Sequence, residues 1–252
     1  MREDYDLLKK RFLELYNKAD RCGYFTFTDF LGLAEQSALR EALPRIRPSE
    51  MTLFGGADGA ERVMARFGNA EEVGYETPFP ILCVKVEPLS MKFADKLTHR
   101  DFLGALLNLG IERSTLGDII IRDNVGYVFA EETIAEFITG ELLRVKRTDV
   151  RATVTDALPE GELYKTELRR IQIQSERVDA VIAKVYSLSR EDSQALIKRG
   201  LVFVNGREID SSSYTPKEGD KVSARGHGRF IYQGFDSTSR NAKLNSIVEV
   251  YV

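Results

Sequence analysis

Apolar residues at Tyr5, Leu8, Phe12, Leu15 and Ala19 advance by three and four through a charged background, which predicts a first helix with one buried stripe. Thr28 and Asp29 stand as cap residues before F-L-G-L-A-E-Q-S-A-L-R-E-A-L, a second helix that Pro44 should stop. The period then changes to two. M-T-L-F and E-R-V-M-A-R-F read as strands around the turn G-G-A-D-G, with Arg62, Met64 and Arg66 on one face and Val63, Ala65 and Phe67 on the other. Residues 1–77 are therefore expected to form an N-terminal α/β segment.

From 78 to 158 the order is easier to read. F-P-I-L-C-V-K-V is a strand and H-R-D-F-L-G-A-L-L-N-L a helix. D-I-I-I-R and G-Y-V-F-A are strands joined at Asp123 and Asn124, E-E-T-I-A-E-F-I-T is a helix, and R-A-T-V-T is a last strand. This β-α-β-β-α-β order is the split ferredoxin-like plan that RNA-recognition modules share. In those modules the third strand carries aromatics on which bases stack, and here Tyr127 and Phe129 occupy alternate positions of that strand. Base stacking and core packing are both open to the two rings. P-E-G-E-L-Y-K-T-E-L-R-R-I-Q-I-Q, residues 159–174, is polar with Pro159 and Gly161, and reads as a linker.

The last segment, 175–252, begins with Ser175 as the expected cap of a helix whose inward residues are Val178, Val181, Ile182 and Val185. A second helix starts at Ser189, with Asp192 three residues on in a capping-box spacing, and Arg190, Gln194 and Lys198 recur every four residues along it. V-F-V-N-G-R-E-I predicts a hairpin turning at Asn205 and Gly206. In A-R-G-H-G-R-F, residues 224–230, a three-residue loop of Gly226, His227 and Gly228 would set Arg225 opposite Arg229. A continuous strand would instead put Arg225, His227 and Arg229 on one face. Either geometry gathers cations that a phosphate would relieve.

Composition narrows the class. The 252 residues are 43% hydrophobic and 30% charged, as in a soluble globular protein. The longest apolar stretches fall well short of the ~20 residues that span a bilayer, and the N-terminus M-R-E-D-Y-D-L-L-K-K is charged at once, so a cytosolic protein without membrane association is expected. Two cysteines, Cys22 and Cys83, and two histidines, His99 and His227, do not make up a zinc site of usual spacing; neither metal nor cofactor is expected. Net charge is −3, but from Ser175 onward 12 Lys and Arg meet 10 Asp and Glu, against 24 and 29 before it. The C-terminal third is thus mildly basic on an acidic chain.

S-E-R-V-D-A-V-I-A-K-V-Y-S-L-S-R-E-D-S-Q-A-L-I-K-R-G-L-V-F-V-N-G-R-E-I followed by G-D-K-V-S-A-R-G resembles the S4 (αL-type) RNA-binding domain, through R-x-D, S-R, L-I-x-x-G, V-x-V-N-G and the later G-D. L-F-G-G-A-D-G-A-E-R, H-R-D-F-L-G-A-L-L-N-L-G-I-E-R-S-T-L-G-D-I and R-G-H-G-R-F extend the resemblance to the bacterial YlmH family over almost the whole chain. The resemblance implies an α+β, non-enzymatic, monomeric RNA-binding protein. It further implies contact with large-subunit ribosomal RNA and tRNA, on the large subunit carrying peptidyl-tRNA, in ribosome-associated quality control. Its RNA-facing set would be Arg177, Ser189, Arg190, Lys198, Arg199, Asn205, Arg207, Arg225, His227 and Arg229, with Arg240 and Lys243 where the family pattern is more basic. His99, Arg100, Arg113, Tyr127 and Phe129 are secondary candidates in the middle domain.

Other chemistries fit less well. H-R-D at 99–101 lacks the metal-binding Asn of a kinase loop, Leu106 standing in its place, and neither D-F-G nor a Gly-rich loop accompanies it. Thr98 or Asp101 is the expected cap of that helix. G-G-A-D-G lacks the Lys and Ser or Thr of a P-loop. The rival readings are an RNA-modifying enzyme that borrows the small domain, either a pseudouridine synthase or a methyltransferase, and a scaffold for cell-division proteins. The G-R-L-D of such synthases does not occur.

Overall fold

A computed structural model describes residues 2–159, 163–238 and 244–251. The chain divides into two compact units, residues 1–163 and 164–252. A boundary near residue 77 does not split the first unit, so the N-terminal segment and the middle domain are packed as one body.

In the first unit, α1 (Arg2–Cys22) presents Phe12 and Ala19 to a core shared with α2 (Leu33–Ala42), β2 (Met51–Phe54) and β3 (Met64–Phe67), and β1 (Thr26–Phe27) pairs along β3. The strands form an antiparallel sheet in the order β1-β3-β2, with Met51 paired to Phe67 and Phe54 to Met64. Thr28 and Asp29 do not cap α2. Its N-cap is Gly32, whose N–H donates to the Glu35 carboxylate at 2.5 Å, while Thr28 Oγ1 accepts from the Ala65 N–H at 2.9 Å and ties β1 to β3. A short helix, α3 (Ala70–Val73), leads into the middle domain.

There, β4 (Ile81–Pro88), α4 (His99–Asn108), β5 (Leu116–Arg122), β6 (Val125–Glu131), α5 (Glu132–Glu141) and β8 (Thr148–Val154) follow the expected plan, with a short added strand β7 (Arg144–Val145) hairpinned to β8. The sheet order β5-β6-β4-β8-β7 interleaves the strands as a split βαβ fold requires. Val84, Val86, Val128 and Ala130 project to the face that carries Phe102, Leu106, Ala135 and Ile138 of the helices. At Gly126 a Cβ would lie 2.6 Å from the Phe102 ring, so only glycine lets the helix approach this closely. Thr98 is the N-cap of α4, its N–H and hydroxyl both donating to Asp101 at 2.9 and 2.7 Å.

In the second unit, β9 (Thr166–Ile173), α6 (Val178–Val185), α7 (Arg190–Lys198), β10 (Val202–Val204), β11 (Arg207–Glu208), β12 (Lys221–Ala224), β13 (Gly228–Thr238) and β14 (Leu244–Tyr251) form an antiparallel sheet, β11-β10-β12-β13-β14-β9, with both helices on one face. Half of the expected linker is therefore a strand. Residues 166–173 pair along their whole length with β14, Ile171 and Ile173 entering the core, so the connection is confined to residues before 166. α6 also begins later than expected, at Val178, with Arg177 rather than Ser175 as N-cap. Asn205 and Gly206, both at positive φ, make the predicted turn between β10 and β11.

Candidate nucleic-acid interface

The small domain's cations are organised by a residue that sequence reasoning passed over. Asp179, the aspartate of R-x-D, is fully buried at the first turn of α6. Arg177 donates to it through Nε (3.1 Å to Oδ1) and Nη2 (3.1 Å to Oδ2), Arg190 through Nε (3.3 Å to Oδ2) and Gln194 through Nε2 (2.8 Å to Oδ2). Burial opposes its charge, yet the hydrogen bonds from Gln194 and Arg177 and the two guanidinium charges prevail and hold its pKa below the ordinary carboxylate value. Both arginines keep part of their side chains exposed, 36% for Arg177 and 48% for Arg190. The carboxylate thus fixes one side of two cations that stay partly exposed, Arg177 Nη2 also donating to Ser212 Oγ at 3.2 Å, and a guanidinium held this way suits phosphate oxygens. Only the i+2 spacing of an acid after an arginine hinted at this role.

The start of α7 is less open to an anion than its dipole suggests. Ser189 Oγ accepts from the Asp192 N–H at 3.0 Å and donates to Asp192 Oδ2 at 2.7 Å, and Glu191 adds a second carboxylate in the first turn. Ser189 is a cap, and the helix end is answered from within. Asn205 is also used internally. Its amide donates to Asp220 at 2.8 Å and accepts from the Lys221 N–H at 3.0 Å, which braces the hairpin against β12. Lys198, Arg199 and Arg207 are exposed on α7, its C-cap and β11.

The A-R-G-H-G-R-F stretch adopts neither geometry expected of it. β12 pairs with β13 through Ala224 and Gly228, so the loop is Arg225–Gly226–His227, one residue earlier, and Arg229 lies opposite Ser223. Arg225 and Arg229 therefore do not face each other. The Arg225 guanidinium sits 4.7 Å from the Phe203 ring centre and Arg229 5.2 Å from that of Tyr251. Burial lowers the pKa of Arg229. The loop is tied down on both sides: the Arg225 N–H donates to the Leu201 carbonyl at 2.8 Å, and the exposed His227 ring leans on Tyr186, just after α6, at 5.7 Å. The Arg225 backbone is thus held just past the C-terminal end of α7 and His227 beside the end of α6, while the Arg225 guanidinium, over Phe203, and Arg229, in the same cross-strand row, both lie on the sheet face turned away from the helices. Arg240 and Lys243 fall outside the described residues.

In the middle domain the expected aromatic platform is covered. Phe129 is 1% exposed, because Gly56 of the G-G-A-D-G turn lies flat against it: a Cβ there would be 2.3 Å from Phe129 Cδ1. Phe129 is a core residue and not a base-stacking one; of the two aromatics on that strand face, Tyr127 is half-exposed. Arg62, also missed, locks the cover in place. Its guanidinium donates to the carbonyls of Leu116 (2.8 Å), Phe30 (2.9 Å) and Arg113 (3.1 Å), while the Glu61 N–H reaches Asp118 at 2.6 Å. Arg113 is similarly engaged, donating to Leu116 and Gly117 carbonyls at 2.8 and 3.0 Å, and burial beside Arg62 brings its pKa down to about 10. Partial burial and the Arg113 charge also lower the pKa of His99, which with Arg100 opens α4 at the surface. No helix among the described residues is long and apolar enough to cross a membrane.

Residues 76–157 match the family described as "Putative RNA-binding domain in YlmH", and residues 176–222 match the S4 domain. "Ribosome-associated protein quality control protein P2" of Bacillus subtilis is 32% identical over 213 residues, 80% of this chain and 78% of that protein. "Small ribosomal subunit protein uS4" of Rhodospirillum centenum is 33% identical over 91 residues, 31% of this chain and 45% of that one. The solved structure of "Cell division protein ylmH from Streptococcus pneumoniae" is 18% identical at a TM-score of 0.46, over 60% of this chain and 91% of that chain. From the length of the first match and the two domains in their order, the chain belongs to the YlmH family, RNA-binding proteins with an S4 domain.

Proposed function

We propose that this protein is a ribosome-associated RNA-binding protein that acts by holding RNA and not by catalysis, engaging the large subunit that carries peptidyl-tRNA during quality control of stalled synthesis. The observation that carries the reading is the buried Asp179 with Arg177 and Arg190 fixed upon it. A buried carboxylate that positions two partly exposed arginines spends buried polar interactions on the geometry of a surface, which suits phosphate recognition. The relative of Bacillus subtilis, named for ribosome-associated quality control, supports the ribosomal setting. The cap of α7 and the brace at Asn205 are framework for this surface.

The test is co-sedimentation of the purified chain with large subunits, with and without peptidyl-tRNA, over a range of salt. Binding should fall steeply with salt. The combined variant Lys198→Glu, Arg199→Glu and Arg225→Glu, which leaves the Asp179 cluster intact, should lose it by roughly a hundredfold with an unchanged melting profile. Failure to pellet with large subunits at low salt overturns the reading.

A further inference from the structure

The middle domain hides its strand aromatics but displays others. Between β4 and α4, Leu89 is 64% exposed, Met91 56% and Phe93 81%, three large apolar side chains within five residues of a charged surface. Such a cluster, held at the tip of a loop, marks an interaction site more often than chance exposure. The loop is anchored at both ends. The Leu89 N–H donates to the Asp149 carbonyl at 2.9 Å, the Asp95 N–H to Thr148 Oγ1 at 2.9 Å and the Leu97 N–H to Asn124 Oδ1 at 2.7 Å, while the Asn124 amide returns to the Asp95 carbonyl at 2.9 Å. The apolar tip is therefore presented and not loose.

Its surroundings are cationic. Lys92 lies beside the Phe93 ring, with its Nζ 5.5 Å from the ring centre, and Lys96 is exposed after it. Lys146 and Arg147, at the β7–β8 turn, complete the set. Arg147 pairs with Asp95 at 3.0 Å, which neutralises the loop's one carboxylate, and Asp101 nearby is taken up in the α4 cap. A groove of about 400 Å³, lined by Met91, Lys96, Ile121 and Asn124 among others, runs alongside the tip. An exposed ring flanked by lysines has the two components by which proteins hold unpaired nucleotides, stacking on the base and charge on the backbone.

We infer that the β4–α4 loop is the RNA contact of the middle domain, with Phe93 stacking on an unpaired base and Lys92, Lys96 and Lys146 facing its phosphates. This rests on the RNA-binding function proposed above and adds to it a second point of contact that reads single-stranded RNA. Charge favours RNA over a protein partner: Lys92, Lys96 and Lys146 stand near the tip beside the Asp95-bound Arg147, against Asp95 and Asp101, both engaged, and the exposed Asp123 of the neighbouring turn.

The test uses the full chain with the photoreactive residue p-benzoylphenylalanine at position 93 or, separately, at position 198, irradiated with purified ribosomes. Position 93 should crosslink to RNA at an unpaired nucleotide. Phe93→Ala should weaken ribosome binding about tenfold, and Phe93→Trp should restore it. Crosslinks from position 93 to ribosomal protein, or none while position 198 still marks RNA, overturn this inference alone, as does unchanged affinity of Phe93→Ala. Silence at both positions overturns the proposed function with it.

Discussion

Asp179 in the C-terminal unit and Phe129 in the N-terminal unit are both almost completely buried, at 0% and 1% exposure, yet burial has opposite consequences for the surface near each. Around Asp179 it orders what stays outside, because the carboxylate draws in only the near side of Arg177 and Arg190. Around Phe129 it removes a side chain from the surface, because the N-terminal segment packs Gly56 onto the ring. A charged site survives the packing of a domain when its charges are answered from one side only. An aromatic site does not survive unless nothing apolar is available to cover it, since covering a ring is favourable by itself.

Phe129→Ala tests this contrast most severely. Emptying a fully buried phenylalanine site should destabilise the first unit by about 3–5 kcal/mol in urea denaturation, with RNA affinity unchanged at temperatures where the unit stays folded. Lost affinity with intact stability would restore the ring as a stacking platform. Asp179→Ala comes next. It strands two guanidinium groups, but both are partly hydrated, so about 2 kcal/mol is expected, below the range for fully buried pairs, seen in the transition of the second unit. RNA affinity should fall with it, because the arginines lose their shared anchor; unchanged affinity would reduce Asp179 to a structural residue.

The smallest effect is one of pH. With its folded pKa depressed, Asp179 contributes stability that is fully present above the unfolded carboxylate value and lost as pH falls through the folded one. Thermal unfolding of the second unit should therefore lose stability below about pH 4, and Asp179→Asn should flatten that loss. An equal slope in the variant would place the acid sensitivity elsewhere.

Much of this was legible in the chain. The β-α-β-β-α-β order, both helices of the small domain and the Asn205–Gly206 turn follow from local periodicity and turn chemistry, which short stretches carry by themselves. Residues 166–173 were misread because T-E-L-R-R-I-Q-I-Q is polar on most positions. It is a strand because β14 offers an open edge to pair with and a core for Ile171 and Ile173. The one-residue slip in the A-R-G-H-G-R-F loop has a similar cause: two glycines permit more than one turn, and the pairing of β12 with β13 selects among them. Asp179 and Arg62 look like any surface charge until the fold surrounds them with donors and carbonyls.

The sequence alone determined the class of the protein, the order of its elements and the basic character of its last domain, because each depends on residues near one another along the chain. Only the tertiary structure decided which cations are held, which aromatics are covered and which apolar loop is left in view. Those outcomes depend on what packs against a side chain from a distant segment, as Gly56 does on Phe129 and Arg190 on Asp179.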